Sequence, residues 1–255
     1  MTCVPRRVSE LQHPDARSYE TIAELYERVR PTYPQEAVAW LVDQLGINAT
    51  STVLDLGAGT GKLTRMLVPL AGHVTAVEPG PEMLAQLARA VPGAQAVLGA
   101  AEAIPLADGS VDAVVCGQSF HWFREDEAVP EIQRVLRPGG GVGLIWNVRN
   151  PDDELQQEVT ALLEPFVPPG RPPVGASVRA FVGRTFGKVA THSVPFEQEL
   201  EADALAQRIS SISFVAAAPE ARRLELEDAL RALVAKRGDS VAFRYVTEVY
   251  VTFPM

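Results

Sequence analysis

Hydrophobic spacing changes character near residue 52. Over residues 16–30 (ARSYETIAELYERVR), Tyr19, Ile22, Leu25, Tyr26 and Val29 fall on one helical stripe. Pro31 and Pro34 end that helix. Pro34 also suits the first turn of a second helix, QEAVAWLVDQLG, which runs to a glycine stop at Gly46. From residue 52, short apolar runs take over. TVLDL, HVTAVEP, AQAVLGA, SVDAVVCGQ and GVGLIWN predict five strands, the fourth preceded by the turn Asp108-Gly109. GKLTRMLVPLA carries Leu63, Met66, Leu67 and Leu70 as a helix face. PEMLAQLARAV, with Pro81 near its start, and AVPEIQRVLR, ending before Pro138-Gly139-Gly140, predict two more helices.

Continuously apolar strands alternating with helices imply a mostly parallel sheet covered on both faces. RPGGG (137–141) and VPPGRPPVG (167–175) are rich in breakers, and the second marks a loop or insertion boundary. Beyond it, GKVATHSVPFEQEL reads as a strand, DALAQRISSISFVAAA and PEARRLELEDALRALVAKRG as helices, and AFRYVTEVYVTF as a last strand. Two late strands with helices between them fit an edge hairpin carrying a helical insertion. Residues 1–15 are expected to be flexible, and 16–255 to form a single domain. That domain would hold N-terminal helices at 16–46 and a cap within about 150–236.

Composition narrows the partners. The formal charge of −9 makes a broad basic nucleic-acid face a poor expectation. Of the two cysteines, Cys3 lies near the terminus and Cys116 inside an apolar run, so neither suggests a disulfide framework or a metal site. The N-terminus has no signal-peptide pattern, and no apolar run approaches the roughly 18 residues of a membrane span. The expectation is a cytoplasmic protein with no metal, membrane or nucleic-acid partner; its oligomeric state is open between monomer and dimer.

The candidate chemistry begins at VLDLGAGTGKLT (53–64). Its glycines, Gly57, Gly59 and Gly61, are spaced G-x-G-x-G. A dinucleotide fingerprint would place glycine or alanine at position 62, which is Lys62, and a phosphate P-loop needs GxxxxGK[ST]. A tight glycine turn also admits a ligand close to backbone without phosphate. Glu78 ends the second strand at the 21-residue interval from Gly57 suited to a ribose-binding carboxylate. Taken in order, VLDLGAGTGKLT, VTAVEP, GAAEAIPLADGSVDAVVCGQSFHWF and RVLRPGGGVGLIWN resemble the successive motifs of class I S-adenosylmethionine-dependent methyltransferases. YERVRPTYP and ISSIS resemble a narrower small-molecule group that includes trans-aconitate methyltransferase-like proteins.

That resemblance implies a Rossmann-like α/β fold: a seven-stranded, mostly parallel sheet of order 3-2-1-4-5-7-6, its last strand antiparallel, with helices on both faces. It implies S-adenosyl-L-methionine as cofactor and S-adenosyl-L-homocysteine as product. Asp55, Gly57, Ala58, Gly59 and Gly61 would surround the methionine end, and Glu78 would take the ribose hydroxyls. Met83 would pack on the adenine, Ala101 and Glu102 would recognise its amine, and Gln118 would line the floor under the sulfonium. Tyr26 and Arg30, four apart on one helix face, suit the cofactor carboxylate, with a solvated Arg and packing tyrosines as the plainer reading.

QSFHWF (118–123) follows the fourth strand. His121 has the unperturbed pKa of a general base, or it is a packing histidine between aromatic neighbours. Phe120, Trp122 and Phe123 suit an apolar acceptor pocket or core. Arg179, Arg184 and Arg208 include a candidate partner for an acidic substrate, with helical surface charge as the commoner reading. Methyl transfer to a small molecule, on carboxylate or hydroxyl oxygen, is favoured over nitrogen or carbon acceptors. An NAD-dependent oxidoreductase is disfavoured by Lys62, and a non-catalytic cofactor-binding homologue by the intact motifs.

Overall fold

The computed structural model describes residue 27 and residues 29–150, 152–168, 182 and 189–253. The helix expected at 16–30 lies almost wholly outside these residues, and Tyr26, Arg179 and Arg184 lie outside them altogether. The described chain begins with α1 (Gln35–Gln44), which ends ahead of Gly46 at φ +64°. Alternation follows: β1 (Thr52–Leu56), α2 (Lys62–Leu67), β2 (His73–Glu78), α3 (Pro81–Ala90), β3 (Gln95–Leu98), β4 (Val111–Gly117), α4 (Glu125–Val135) and β5 (Leu136–Arg149). Then come α5 (Glu154–Leu163), β6 (Ala190–Glu201), α6 (Ala202–Ser210), α7 (Ser213–Ala216), α8 (Glu220–Ala235) and β7 (Ser240–Thr252).

The seven strands form one sheet of order β3-β2-β1-β4-β5-β7-β6. Pairing is parallel from β3 through β5, and β7 pairs antiparallel with both β5 and β6. Successive strand residues point to opposite faces, so a strand covered on both sides is apolar at every position rather than at alternate ones. In β4, Val114 and Cys116 pack with Ile132 and Val135 of α4, while Ala113 and Val115 pack with Leu41 of α1 and Leu67 of α2. Both faces are therefore core. Cys116 is fully buried, and burial, reinforced by the Asp55 charge, pushes its thiol well up, so it is inert filling. A third cluster joins α5, α6 and α8 to Val241, Phe243 and Tyr245 at the start of β7.

Three local expectations need correction. RPGGG does not lie outside the fifth strand: β5 starts at Leu136 and absorbs the glycines through a register shift against β4, with Gly139 at φ +83°. The helix read over 203–218 breaks after Ser210, because the Ser211 hydroxyl bonds back to the Arg208 carbonyl and also accepts from Arg30. Leu70 is 40 % exposed rather than on a core face, because α2 has already ended at Leu67. Among the described residues no helix is long and apolar enough to cross a membrane.

Candidate active site

A cleft opens where β1, β2 and β4 end, as expected for the carboxyl edge of a doubly wound sheet. Its empty space, open mouth included, is about 1130 Å³, ample for a ligand of the size held by typical sites of roughly 300–1,000 Å³. Arg30, Asp55, Gly57, Ala58, Gly59, Glu78, Met83, Ala101, Glu102 and Gln118 all line it.

The glycine turn explains itself through its amides. Gly57 and Ala58 both donate to the Val77 carbonyl, at 2.8 and 3.1 Å, and Gly61 donates to the Ala58 carbonyl at 3.0 Å. The Gly59 N–H donates to Glu78 Oε2 at 2.8 Å. A phosphate nest needs such groups converging on an anion; here the protein's own acceptors take them. Gly59 sits at φ +57°, and a Cβ there would meet nothing within 4 Å, so it turns the chain and leaves room. Glu78 Oε1 accepts from the Gly80 N–H at 2.9 Å, which fixes the carboxylate between two loops on the cleft wall.

Asp55 is 1 % exposed. Its Oδ2 accepts from the Thr64 hydroxyl at 2.6 Å, while Oδ1 is sealed from solvent and receives no hydrogen bond. Burial raises the carboxyl from 3.8 to about 7, against the opposing bonds from Thr64. An orphaned anionic oxygen on a cleft wall calls for a cationic or N–H donor from a ligand. Gln118 is the one non-glycine residue at positive φ among those described, at +58°, and its N–H donates to the Ile145 carbonyl at 2.9 Å. Such strain at the end of a central strand is the kind that collects at functional sites. Glu102 Oε1 accepts from the Arg124 N–H at 2.8 Å and so ties its loop to the start of α4.

Several residues fall elsewhere. Gly61 is not on the cleft wall; at φ +87° it lies under α3, where a Cβ would stand 3.0 Å from both Leu87 Cγ and Val91 Cγ2. Its requirement is helix packing. His121 is exposed and also off the wall, its ring 4.8 Å from that of Trp122 and its Nδ1 accepting from the Trp146 indole at 3.4 Å. Trp122 and Phe123 do line the cleft, but Phe120 is fully buried in the core. Arg208, commoner as surface charge, is only 5 % exposed.

The structure adds residues that periodicity did not single out. Glu27 accepts from Thr60 Oγ1 at 2.6 Å and pairs with Arg65 at 2.8 Å, while Lys62 Nζ donates to the Glu27 carbonyl at 2.6 Å. Burial works to raise the Glu27 carboxyl, but the bonds from Thr60 and Arg65 and the charges of Lys62 and Arg65 hold it below its usual value. Lys62 lines the cleft, so the residue that broke the dinucleotide pattern clasps the N-terminal segment onto the glycine turn. Arg30 makes the matching clasp on the other side, donating to the Ser211 hydroxyl at 3.0 Å and carbonyl at 2.8 Å.

Comparison with known proteins agrees with this geometry. Residues 54–143 match the family model of a methyltransferase domain. An uncharacterized methyltransferase of Mycobacterium tuberculosis is 40% identical over 252 residues, covering 97% of each chain. An uncharacterized methyltransferase-like protein of Schizosaccharomyces pombe is 38% identical over 208 residues, 81% of each chain. A solved structure from Anaeromyxobacter dehalogenans, assigned as a type II methyltransferase, superposes with a TM-score of 0.70 at 25% identity, covering 89% of this chain and 99% of that one. Sheet order, cleft and relatives agree: the chain belongs to the class I S-adenosylmethionine-dependent methyltransferases.

Proposed function

We propose that the acceptor is a small molecule methylated on oxygen, with a carboxylate oxygen as the best fit. The observation that carries this is the absence of a disposable base: among the described residues lining the cleft there is no histidine. Glu78 holds two backbone amides and Glu102 a third, while Asp55, with Oδ2 taken by Thr64 and Oδ1 open, is committed in this reading to the cofactor ammonium. A carboxylate acceptor is ionised at neutral pH and needs no proton removed. Its attack would require only alignment and exclusion of water, and orientation alone supplies on the order of 7–11 kcal/mol in favourable systems.

The residues present fit the cofactor, whose contribution is an electrophilic methyl on sulfonium. Asp55 Oδ1, lacking a donor, suits its ammonium. Arg30, on the cleft wall, would take the cofactor carboxylate together with Tyr26. Glu78 would accept from the ribose diol. Met83 would cover the adenine, and Ala101 and Glu102 would meet its amine through backbone and carboxylate. The strained Gln118 would form the floor beneath the sulfur, and the helices between β5 and β7 would close the acceptor side.

The test is turnover. Purified protein with S-adenosylmethionine is offered carboxylic acids, phenols and amines, and products are read by mass spectrometry. A methyl ester from at least one acid is expected; methylation confined to amines or carbon would overturn the oxygen assignment.

A further inference from the structure

The sheet face that carries Asp55 holds a second polar cluster where the end of β5 pairs with the middle of β7. Arg149 stands directly opposite Tyr245, so their side chains share a face, and Asn147 stands opposite Thr247 two pairs further along, on the same face. The Asn147–Thr247 pair is satisfied: Thr247 donates to Asn147 at 2.6 Å, and Asn147 donates to the Thr32 carbonyl at 3.0 Å. Arg149 and Tyr245 are not. Arg149 donates through Nε and Nη2 to the side-chain and backbone oxygens of Gln156, but its Nη1 is sealed from solvent with no acceptor. The Tyr245 hydroxyl is sealed and unmatched in the same way.

Charge sharpens the anomaly. The Arg208 guanidinium lies 5.8 Å from the centre of the Tyr245 ring, and the side chain is nearly buried. It repels Arg149, whose pKa falls to about 10 through burial first and Arg208 second. The chain carries 32 acidic residues against 23 basic, yet Arg149 meets a like charge and a phenol ring rather than a carboxylate. Arg149 is half-buried, and its sealed Nη1 N–H is left unmatched at a cost unless something supplies an acceptor.

The cluster also adjoins the cleft. Lys62 on the cleft wall feels the Arg208 charge. Arg30, also on the wall, bonds to Ser211, whose hydroxyl bonds to the Arg208 carbonyl. Glu78 and Met83 mark the opposite, β1–β2 side. We infer that Arg149, Arg208 and Tyr245 form an anchoring subsite for a carboxylate of the methyl acceptor, an inference that rests on the methyl-transfer reading above. A planar anion with two oxygens offers one acceptor to the unused Arg149 N–H and one to the phenol O–H.

The test uses the full chain saturated with S-adenosylhomocysteine. Acetate, succinate and tricarballylate, their methyl esters, and inorganic phosphate are titrated calorimetrically. At least one acid is expected to bind and its ester not. Tyr245→Phe, which removes only the hydroxyl, is expected to weaken that acid about tenfold and Arg149→Met by more, the usual loss for hydrogen bonds to charged groups. Arg149→Lys should recover part of the loss, and S-adenosylhomocysteine affinity should stay unchanged in every variant. Equal acid binding by wild type and Tyr245→Phe would overturn the subsite, as would equal binding of acid and ester, phosphate in preference to every acid, or no acid binding at all. Failure of the wild type to bind S-adenosylhomocysteine would instead sink the cofactor reading on which the subsite depends.

Discussion

Replacing Asp55 by Asn should stabilise the cofactor-free protein while weakening its hold on cofactor. Asn keeps an oxygen for Thr64 but carries no charge into a site that is 1 % exposed. The Asp55 carboxyl has a pKa of about 7 when folded, against 3.8 ordinarily. The folded state therefore binds the extra proton between those values, so the contribution of Asp55 to stability is greatest below about 3.8, falls as pH rises, and levels off above about 7. At 1.36 kcal/mol per pH unit the whole decline is on the order of 4 kcal/mol, an upper bound. Urea unfolding of wild type and Asp55→Asn without cofactor, at pH 5 and pH 8, measures it. The variant should be the more stable at pH 8, and its advantage should shrink at pH 5. Cofactor affinity of the wild type should rise as pH climbs through 7, because the ammonium needs the ionised carboxylate. Parallel pH profiles for the two proteins would refute the reasoning.

Other outcomes follow from single contacts. Glu78→Gln removes the charge that accepts from Gly59 and Gly80, and S-adenosylhomocysteine titration should show affinity about ten- to hundredfold lower. Gly61→Ala forces a Cβ against Leu87 and Val91 at positive φ and should cost about 1–3 kcal/mol in urea unfolding, with methyl transfer per folded molecule retained. His121→Ala should leave turnover within about twofold of wild type, since the ring is off the cleft wall; a large fall in turnover would return the imidazole to the reaction.

The sheet could be read from the sequence because its central strands are buried on both faces, and such strands stay apolar at every position, as VDAVVC does outside Asp112. The cleft wall was legible for a related reason: turn geometry demands glycine at position 59, and the carboxylate it bonds must end the neighbouring strand. Gly61 misled because one short motif serves two purposes, and spacing does not separate ligand approach from helix packing. The position of His121 off the cleft wall was not legible, because its chemistry is generic while its orientation is tertiary, against Trp122 and Trp146. Glu27 and Arg149 were invisible for a third reason. Their partners, Thr60 and Lys62 in one case and Tyr245 and Arg208 in the other, are far apart in sequence, so no local period marks them. The Lys62 interruption of the dinucleotide pattern was visible, but its use as a clasp was not.

The placement of the cofactor is decided by a crystal structure with S-adenosylhomocysteine bound. The expected result is an amino nitrogen about 2.7–3.2 Å from Asp55 Oδ1, the ribose diol on Glu78, and the sulfur above Gln118 facing the β5–β7 half of the sheet. A cofactor turned so that its adenine lies toward Arg149 and Tyr245, with Asp55 Oδ1 still lacking a donor, would contradict it.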